Sequence, residues 1–468
     1  MASEAMVEPG SFRDRTATVF YQQGDVFRGL TDRALGHWEA LSATNFYRRF
    51  VANGGLVETH LVSPVTVPAA GVEWRAVLKH ERVPFVSYPY EWPFGMLQDA
   101  ALLHVDLLLA AIDEGMTLKD ASPYNVQWKG AMPVFVDVAS FERRQNGEPW
   151  VGYRQFCELF LYPLLLLAYR DVPFHPWLRG SLEGIDAETC WRLMSPRDVL
   201  RGGVLTHVYL QARAQAAWRT TTRDVRADLR AAGFSVDVIK NNATRLRTLI
   251  ARLNWAPNPS TWSEYGQCTH YAPDDERRKC DFVRACVRSR DWTLVWDLGA
   301  NTGKFSRIAA ERARSVVAID ADHQVVNRLY QDLKAEGSRT ILPLVGNVAD
   351  PSPGLGWRNR ERKPWVDRGR PDLVLCLALL HHLAITANIP VPELLDWFAS
   401  LGADLIVEFV SRDDPMVAAL LRNKDDLYTD YTLPAFEREL TRRFVVQERM
   451  PLASGTRILY HARPVGLA

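Results

Sequence analysis

The stretch Val295–Arg307, VWDLGANTGKFSR, decides how this chain is read. It predicts an apolar strand, a D-x-G-x-N-x-G turn from Asp297 to Gly303, and then a helix. Doubly wound folds build a nucleotide pocket in that way, at the carboxyl end of a strand. Gly299 and Gly303 let backbone approach a ligand, and Asn301 tolerates the left-handed conformation a turn requires. A second apolar run, SVVAID, ends about 20 residues on in Asp320, placed to bind both hydroxyls of a ribose. Dinucleotide enzymes share these two features, so by themselves they leave the cofactor open. The bland alternative is a tight turn with a capping aspartate.

Outward from this stretch, strands and helices alternate. KFSRIAAERA reads as helix, SVVAID as strand, DHQVVNRLYQDLKAEG as helix, RTILPLVG and DLVLCLALL as strands, VPELLDWFASLG as helix and DLIVEFV as strand. Near-continuous apolar strands separated by helices specify a parallel sheet covered on both faces. The end, RFVVQERMPLASGTRILYHARP, reads as two strands joined at a Ser-Gly turn, hence an antiparallel hairpin.

The rest of the constellation points to S-adenosylmethionine. The turn is not G-x-G-x-x-G, and Asp297 is placed to meet an ammonium group. After the third strand comes GNVADPSP, where Asn347 or Asp350 would reach an adenine amine, and the fourth strand ends in LALLHHL. With these motifs in hand, the C-terminal part resembles the class I methyltransferases, whose parallel sheet ends in such a hairpin. DLGANTG, AIDAD, ADPSPGLGW, LALLHHLA and IVEFVSRDDPMV together resemble one bacterial family that includes nodulation proteins of the NoeA type. The resemblance extends upstream through ERVPFVSYPYEWPF, LKDASPYNVQ and GEPWVGYRQFC, so it covers most of the chain. It implies a cofactor pocket of Asp297, Gly299, Ala300, Asn301, Gly303, Asp320, Ala321, Asn347, Val348 and Leu377.

Methyl transfer is an in-line displacement, so the protein must align the nucleophile and, for a hydroxyl or acidic carbon, accept its proton. His381 and His382 fall where the fourth strand meets the methyl group, and histidine titrates near neutrality. One of them serves as general base, or both position substrate or pack. Glu408, ending the fifth strand, and Asp414 beyond it are further candidates on the substrate side; a surface ion pair is the alternative for Glu408. The N/D-P-P-Y loop of many amino- or base-directed methyltransferases is absent, which leaves O-, C- and other N-methylation open. Trp262, Tyr265 and Tyr271 precede the domain, where a lid or an inter-domain aromatic contact is expected.

The first half reads differently. LKDASPYNVQWKGAMPVFVDVASFE, Leu118–Glu142, spaces Asp120 and Asn125 as a kinase catalytic loop spaces its base and metal-binding amide, and Asp137 follows where kinases put a metal ligand. VSYPYEWPFGMLQDAALL resembles a kinase hinge and the helix after it. Leu118 replaces the usual histidine, no phenylalanine-glycine follows Asp137, QQGDVFRGL is a poor glycine-rich loop, and Lys79 lies too near the hinge. Without a phosphate clamp, phosphoryl transfer loses most of its electrostatic stabilisation. Three readings stand: a degenerate kinase fold used as scaffold, a nucleotide or phosphotransfer site with Asn125 and Asp137 holding metal, or an Asx-capped turn.

Composition bounds the rest. At 468 residues the chain exceeds a typical single domain, and 47% apolar with 24% charged residues describes an ordinary globular protein. A net charge of +1 gives no reason to expect nucleic acid or a membrane surface as partner. Six cysteines without CxxC pairs argue for a reducing cytoplasm and against a zinc site. MASEAMVEPG has no signal-peptide pattern, and ELFLYPLLLLAY is too short to span a bilayer. The expected fold is thus α/β, with a Rossmann-like seven-stranded methyltransferase sheet and antiparallel terminal hairpin, preceded by an α+β, largely helical kinase-like domain. Expected bounds are 1–235 for the kinase-like domain, 236–262 for a helical linker and 263–468 for the methyltransferase domain. The expected acceptor is a small-molecule, glycan-type or peptide metabolite, with no resident metal.

Overall fold

The computed structural model describes residues 5–62, 74–218, 235–256, 273–422, 424 and 427–466. Trp262, Tyr265 and Tyr271, the expected lid, lie outside the described residues, as does the Pro/Ser stretch near residue 258.

The C-terminal half is a seven-stranded sheet of β10 (Trp292–Leu298), β11 (Ala313–Asp320), β12 (Ile341–Val345), β13 (Leu373–Cys376), β14 (Asp404–Val410), β15 (Phe444–Pro451) and β16 (Arg457–Pro464). Their spatial order is β12-β11-β10-β13-β14-β16-β15. β10 to β14 run parallel, and β15 and β16 close the edge as an antiparallel pair. Every residue of β13 and β14 is buried, as a parallel strand covered on both faces demands. The chain winds outward from β10 to β12 and returns to β13 on the other side, so the strand order reverses between β10 and β13. That reversal opens a crevice at the strands' carboxyl ends, where such folds bind ligands. DLVLCLALL forms a shorter strand than its apolar run suggests. Ala378 adopts a left-handed conformation, φ +53°, which turns Leu379 and Leu380 out of the sheet.

The N-terminal half carries a five-stranded antiparallel sheet of β1 (Met6–Val7), β2 (Ala17–Gln22), β3 (Asp25–Leu30), β4 (Thr59–Val62) and β5 (Ala76–His80), ordered β1-β2-β3-β5-β4. QQGD is the two-residue turn joining β2 to β3, with positive φ at both Gln23 and Gly24. Helices Asp32–Ala43 and Asn45–Ala52 lie between β3 and β4. FVSYPY, whose aromatic and β-branched content favours a strand, forms none: Pro84, Pro89 and Pro93 remove ladder donors, and Pro89–Glu91 makes one 3-10 turn. The helix Phe94–Asp113 follows and ends before Gly115, φ +77°. Among the described residues it alone is long and apolar enough to cross a bilayer, yet 67% of its most apolar window is buried in the core. Short pairs β6 (Met116–Leu118) with β9 (Phe141–Arg143), and β7 (Val126–Lys129) with β8 (Met132–Phe135), complete the opening of a helical region.

The expected linker contains the amphipathic helix Val236–Arg252, which lies along Phe94–Asp113. It buries Ile239, Ala243, Leu246 and Ile250, and Arg247 pairs with Asp106 at 2.5 Å. One hydrophobic core runs through both halves, from Ala17 to Ala462. Phe85 meets Trp296 edge-on at 6.2 Å, and Glu91 forms a fully buried pair with Arg368 at 2.6 Å.

Candidate active site

The turn after β10 is built by backbone conformations that its residues tolerate. Gly299, Asn301 and Gly303 have φ of +74°, +47° and +75°. Gly299 faces Leu379 across the crevice, where an added Cβ would lie 3.5 Å from the leucine side chain. Gly303 serves packing instead, since a Cβ there would sit 2.6 Å from Leu329 Cδ1. Ala300 is buried beside the turn.

Two carboxylates flank this turn. Asp297 is buried and accepts a hydrogen bond from Ser306 Oγ at 2.5 Å. Burial pushes its carboxyl up to about 6, with the Ser306 bond opposing the shift. Asp320 accepts from the backbone N–H of Asn301 at 2.9 Å and of Asp322 at 3.0 Å. Burial raises its carboxyl also, against those backbone donors. Neither carboxylate has a cation within ion-pair distance among the described residues. Ala321, exposed, and Asp322, the N-cap of helix His323–Ala335, continue the Asp320 loop.

After β12, Gly346 approaches Trp365 so closely that a Cβ would lie 2.4 Å from its ring. Asn347 and Val348 open a tight turn in which Asn347 Oδ1 accepts from Ala349 N at 2.9 Å. Asp350, the alternative adenine contact, is engaged bidentately by Arg179 at 2.9 and 3.1 Å, which leaves Asn347 the freer polar group of the turn.

On the other wall, Leu377 is buried at the end of β13, and His381 and His382 follow on the turn into a short π-helical segment, His382–Thr386. Their rings lie 4.2 Å apart. His381 is 1% exposed, and neither ring nitrogen has a hydrogen-bond partner. Burial, then the neighbouring His382, pushes its imidazole down to about 3; burial takes His382 to about 4. Both are therefore neutral near pH 7. In this state they are hydrogen-bond acceptors of low basicity, better suited to orienting a nucleophile than to holding its proton.

Glu408 lies within β14, two residues before its end, fully buried 2.6 Å from Lys279 Nζ and 3.6 Å from Arg457. Arg457 also binds Asp414 at 2.7 and 3.1 Å. The pairs tie β14 to Lys279 and, through Arg457, to the start of β16. Lys279 and Arg457 escape a sequence reading: Lys279 sits in DDERRKCD, which looks like a solvated helix face.

In the N-terminal half, Asp120, Asn125 and Asp137 share one neighbourhood. Ser140 Oγ donates to Asp137 Oδ2 at 2.5 Å, and Asn125 Nδ2 donates to Ser140 Oγ at 3.1 Å. Arg28, on β3, reaches Asp137 Oδ1 at 2.7 Å. Burial works to raise the Asp137 carboxyl, but Arg28 and Ser140 hold it below the usual carboxylate range. Burial, then the charge on Asp137, raises Asp120. The guanidinium thus stands where the metal reading of Asn125 and Asp137 put a cation. Among the described residues no group of three or more His, Cys, Asp or Glu side chains is arranged to hold a metal. Arg28 lies 109 residues before Asp137, and only the folded chain brings β3 to it.

Fold and strand order together define an α/β protein with a doubly wound sheet whose order reverses between β10 and β13. No family model matches the chain. It is 33% identical over 453 residues to the nodulation protein NoeA of Rhizobium meliloti (strain 1021), covering 96% of this chain and 94% of that protein. The chain belongs to the NoeA family. Among solved structures it is similar to the N-methyltransferase NodS from Bradyrhizobium japonicum WM9, at 15% identity and TM-score 0.31, over 42% of this chain and 98% of that one. It is also similar to the magnesium protoporphyrin IX methyltransferase ChlM from Synechocystis PCC 6803 with bound SAH, at 15% identity and TM-score 0.30, over 45% of this chain and 90% of that one.

Proposed function

We propose that the chain is a methyltransferase dependent on S-adenosylmethionine (SAM), acting on a small-molecule, glycan-type or peptide metabolite at oxygen, carbon or nitrogen. The observation that carries this reading is the pair Asp297 and Asp320. They are two largely buried carboxylates with no cation at ion-pair distance among the described residues, on adjacent strand ends around a glycine turn where β10 parts β11 from β13. The residues fit the cofactor chemically: Asp297 offers its charge to an amino-acid ammonium, Asp320 two acceptor oxygens to ribose hydroxyls, and Asn347 an amide to the adenine edge. The strand order, with its antiparallel closing pair, is that of a class I methyltransferase sheet and supports the same reading.

The cofactor, when bound, supplies a methyl group on a positively charged sulfur. The chain's own work is then alignment and exclusion of water. Leu377 and Leu379 present an apolar wall beside the turn, and His381 offers an unpartnered ring nitrogen to the acceptor's hydroxyl or amine proton. Free cysteines fit action in a reducing cytoplasm.

The N-terminal half reads as a kinase-like scaffold. The sheet order, the helices between β3 and β4, and the Asp120–Asn125–Asp137 grouping support it. No observation favours phosphoryl transfer, because Arg28 already neutralises Asp137.

Calorimetry of the full chain with SAM and with magnesium-ATP tests these readings. The expected result is SAM binding that Asp320→Ala abolishes, and no heat from ATP. SAM binding indifferent to Asp320→Ala sinks the cofactor assignment; ATP binding lost in Asp137→Ala restores the phosphotransferase.

A further inference from the structure

The crevice is walled unequally by the two halves. On its acceptor side, Lys279, Glu408, Arg457, Asp414 and His381 all come from the C-terminal half. Its other side is shaped by the Asp320–His323 loop after β11 and by the long connection from Gly346 to Asp372 after β12. Both are held from outside the sheet. His323 stacks on Trp255 at 4.8 Å and meets His175 edge-on at 5.4 Å. Arg179 grips Asp350 bidentately. Glu91 reaches into the connection and accepts from Ser352 Oγ at 2.5 Å, Trp365 Nε1 at 2.7 Å and both terminal nitrogens of Arg368 at 2.6 and 2.9 Å.

The Gly346–Asp372 connection has little secondary structure of its own: one 3-10 turn, one four-residue helix and two isolated bridges. A segment of this kind keeps one conformation only when external contacts offset its conformational entropy. Glu91 is the chief such contact, a 1% exposed carboxylate whose donors include three groups widely spaced along the connection. Burial works to raise its carboxyl, but Arg368 and the other donors hold it below the usual range, so it is ionised and binds as a charge.

We propose that the N-terminal half braces the adenosine wall of the cofactor pocket, with Arg179 and Glu91 as positioning residues that set recognition of the purine ring. The proposal rests on the SAM reading above. It assigns the N-terminal half a part in the pocket that needs no chemistry at Asp120 or Asp137.

The test titrates the full chain with S-adenosylhomocysteine and with its hypoxanthine analogue, S-inosylhomocysteine, in which a carbonyl replaces the purine amine. The wild-type chain is expected to prefer the adenine form about tenfold, the worth of one well-placed hydrogen bond. Arg179→Ala changes a pair with 33% and 68% exposed side chains, so the fold should survive it, and it should cut the preference to about threefold or less. Glu91→Gln should do the same or more. Lys279→Met, on the acceptor side, should leave the preference intact whatever it does to absolute affinity. If Arg179→Ala and Glu91→Gln weaken both ligands equally and keep the preference, their role is merely structural and the proposal is overturned; should Glu91→Gln fail to fold, Arg179→Ala decides. A wild-type chain that binds neither ligand overturns the SAM reading and this proposal together, whereas binding with an unmoved preference overturns this proposal alone.

Discussion

Asp137 and Asp320 stand in comparable places, each at or just beyond the carboxyl end of an apolar strand and each largely withdrawn from water. Asp137 meets the Arg28 guanidinium at 2.7 Å, and its carboxyl is held low. Among the described residues Asp320 meets backbone N–H groups and no cation, and its carboxyl is pushed up, as is that of Asp297 nearby. The difference teaches how to tell a closed site from an open one. A strand-end carboxylate whose charge is answered inside the protein is complete without a ligand. One left unanswered is costly to keep ionised, and a cationic or hydroxyl-bearing ligand recovers that cost.

The comparison can be broken most decisively at Asp320. Asp320→Ala should weaken S-adenosylhomocysteine on the order of 1,000-fold in calorimetry, because two hydrogen bonds to a charged group are worth about 1.5–3 kcal/mol each. A change below about tenfold would remove Asp320 from the pocket.

Arg28→Ala sharpens the other side. Opening a pair whose side chains are 11% and 21% exposed should lower stability by about 2–3 kcal/mol in urea unfolding at pH 7, short of the cost in a fully dry site. Asp137 is held low in the folded state. Its contribution is therefore present above the unfolded carboxylate range and lost as pH falls through the folded value, so wild type and variant should converge in acid. Ligand affinity should stay within about twofold.

Asp297 predicts the opposite pH dependence. Its folded carboxyl titrates near 6, above the ordinary value of 3.8, so the ligand-free fold should lose stability as pH rises from about 4 to about 6, by up to about 3 kcal/mol. S-adenosylhomocysteine, which needs the ionised form, should bind about tenfold more tightly at pH 7 than at pH 5. Asp297→Asn should flatten that profile; a slope unchanged in the variant assigns it to another group.

The smallest effect separates packing from binding. Gly303→Ala meets both φ +75° and Leu329, and should cost about 1–2 kcal/mol of stability while changing affinity by less than about threefold.

Much of this was legible in one dimension. The turn after β10, Asp320 and the alternation of apolar strands and helices are local patterns, and each lies within a few residues of its place in the sheet. The N-terminal helix Phe94–Asp113 was readable for the same reason. FVSYPY misled because aromatic and β-branched content outweighed its flanking prolines. The ion pairs of Glu408 could not be read along the chain, because its two cations lie at positions 279 and 457. The linker showed its helical period but not that its apolar stripe covers Phe94–Asp113.

The sequence by itself determined the strand–turn–helix unit at Val295–Arg307, the order of elements around it and the carboxylates at the strand ends beside it. Periodicity and turn chemistry are properties of neighbours along the chain. Only the tertiary structure decided which carboxylates remain open. It brought Arg28 onto Asp137, Lys279 onto Glu408 and Glu91 into the Gly346–Asp372 connection, while leaving Asp297 and Asp320 with no cation at ion-pair distance among the described residues. Charge compensation depends on distance in space, and at separations of 100 residues or more no local pattern encodes it.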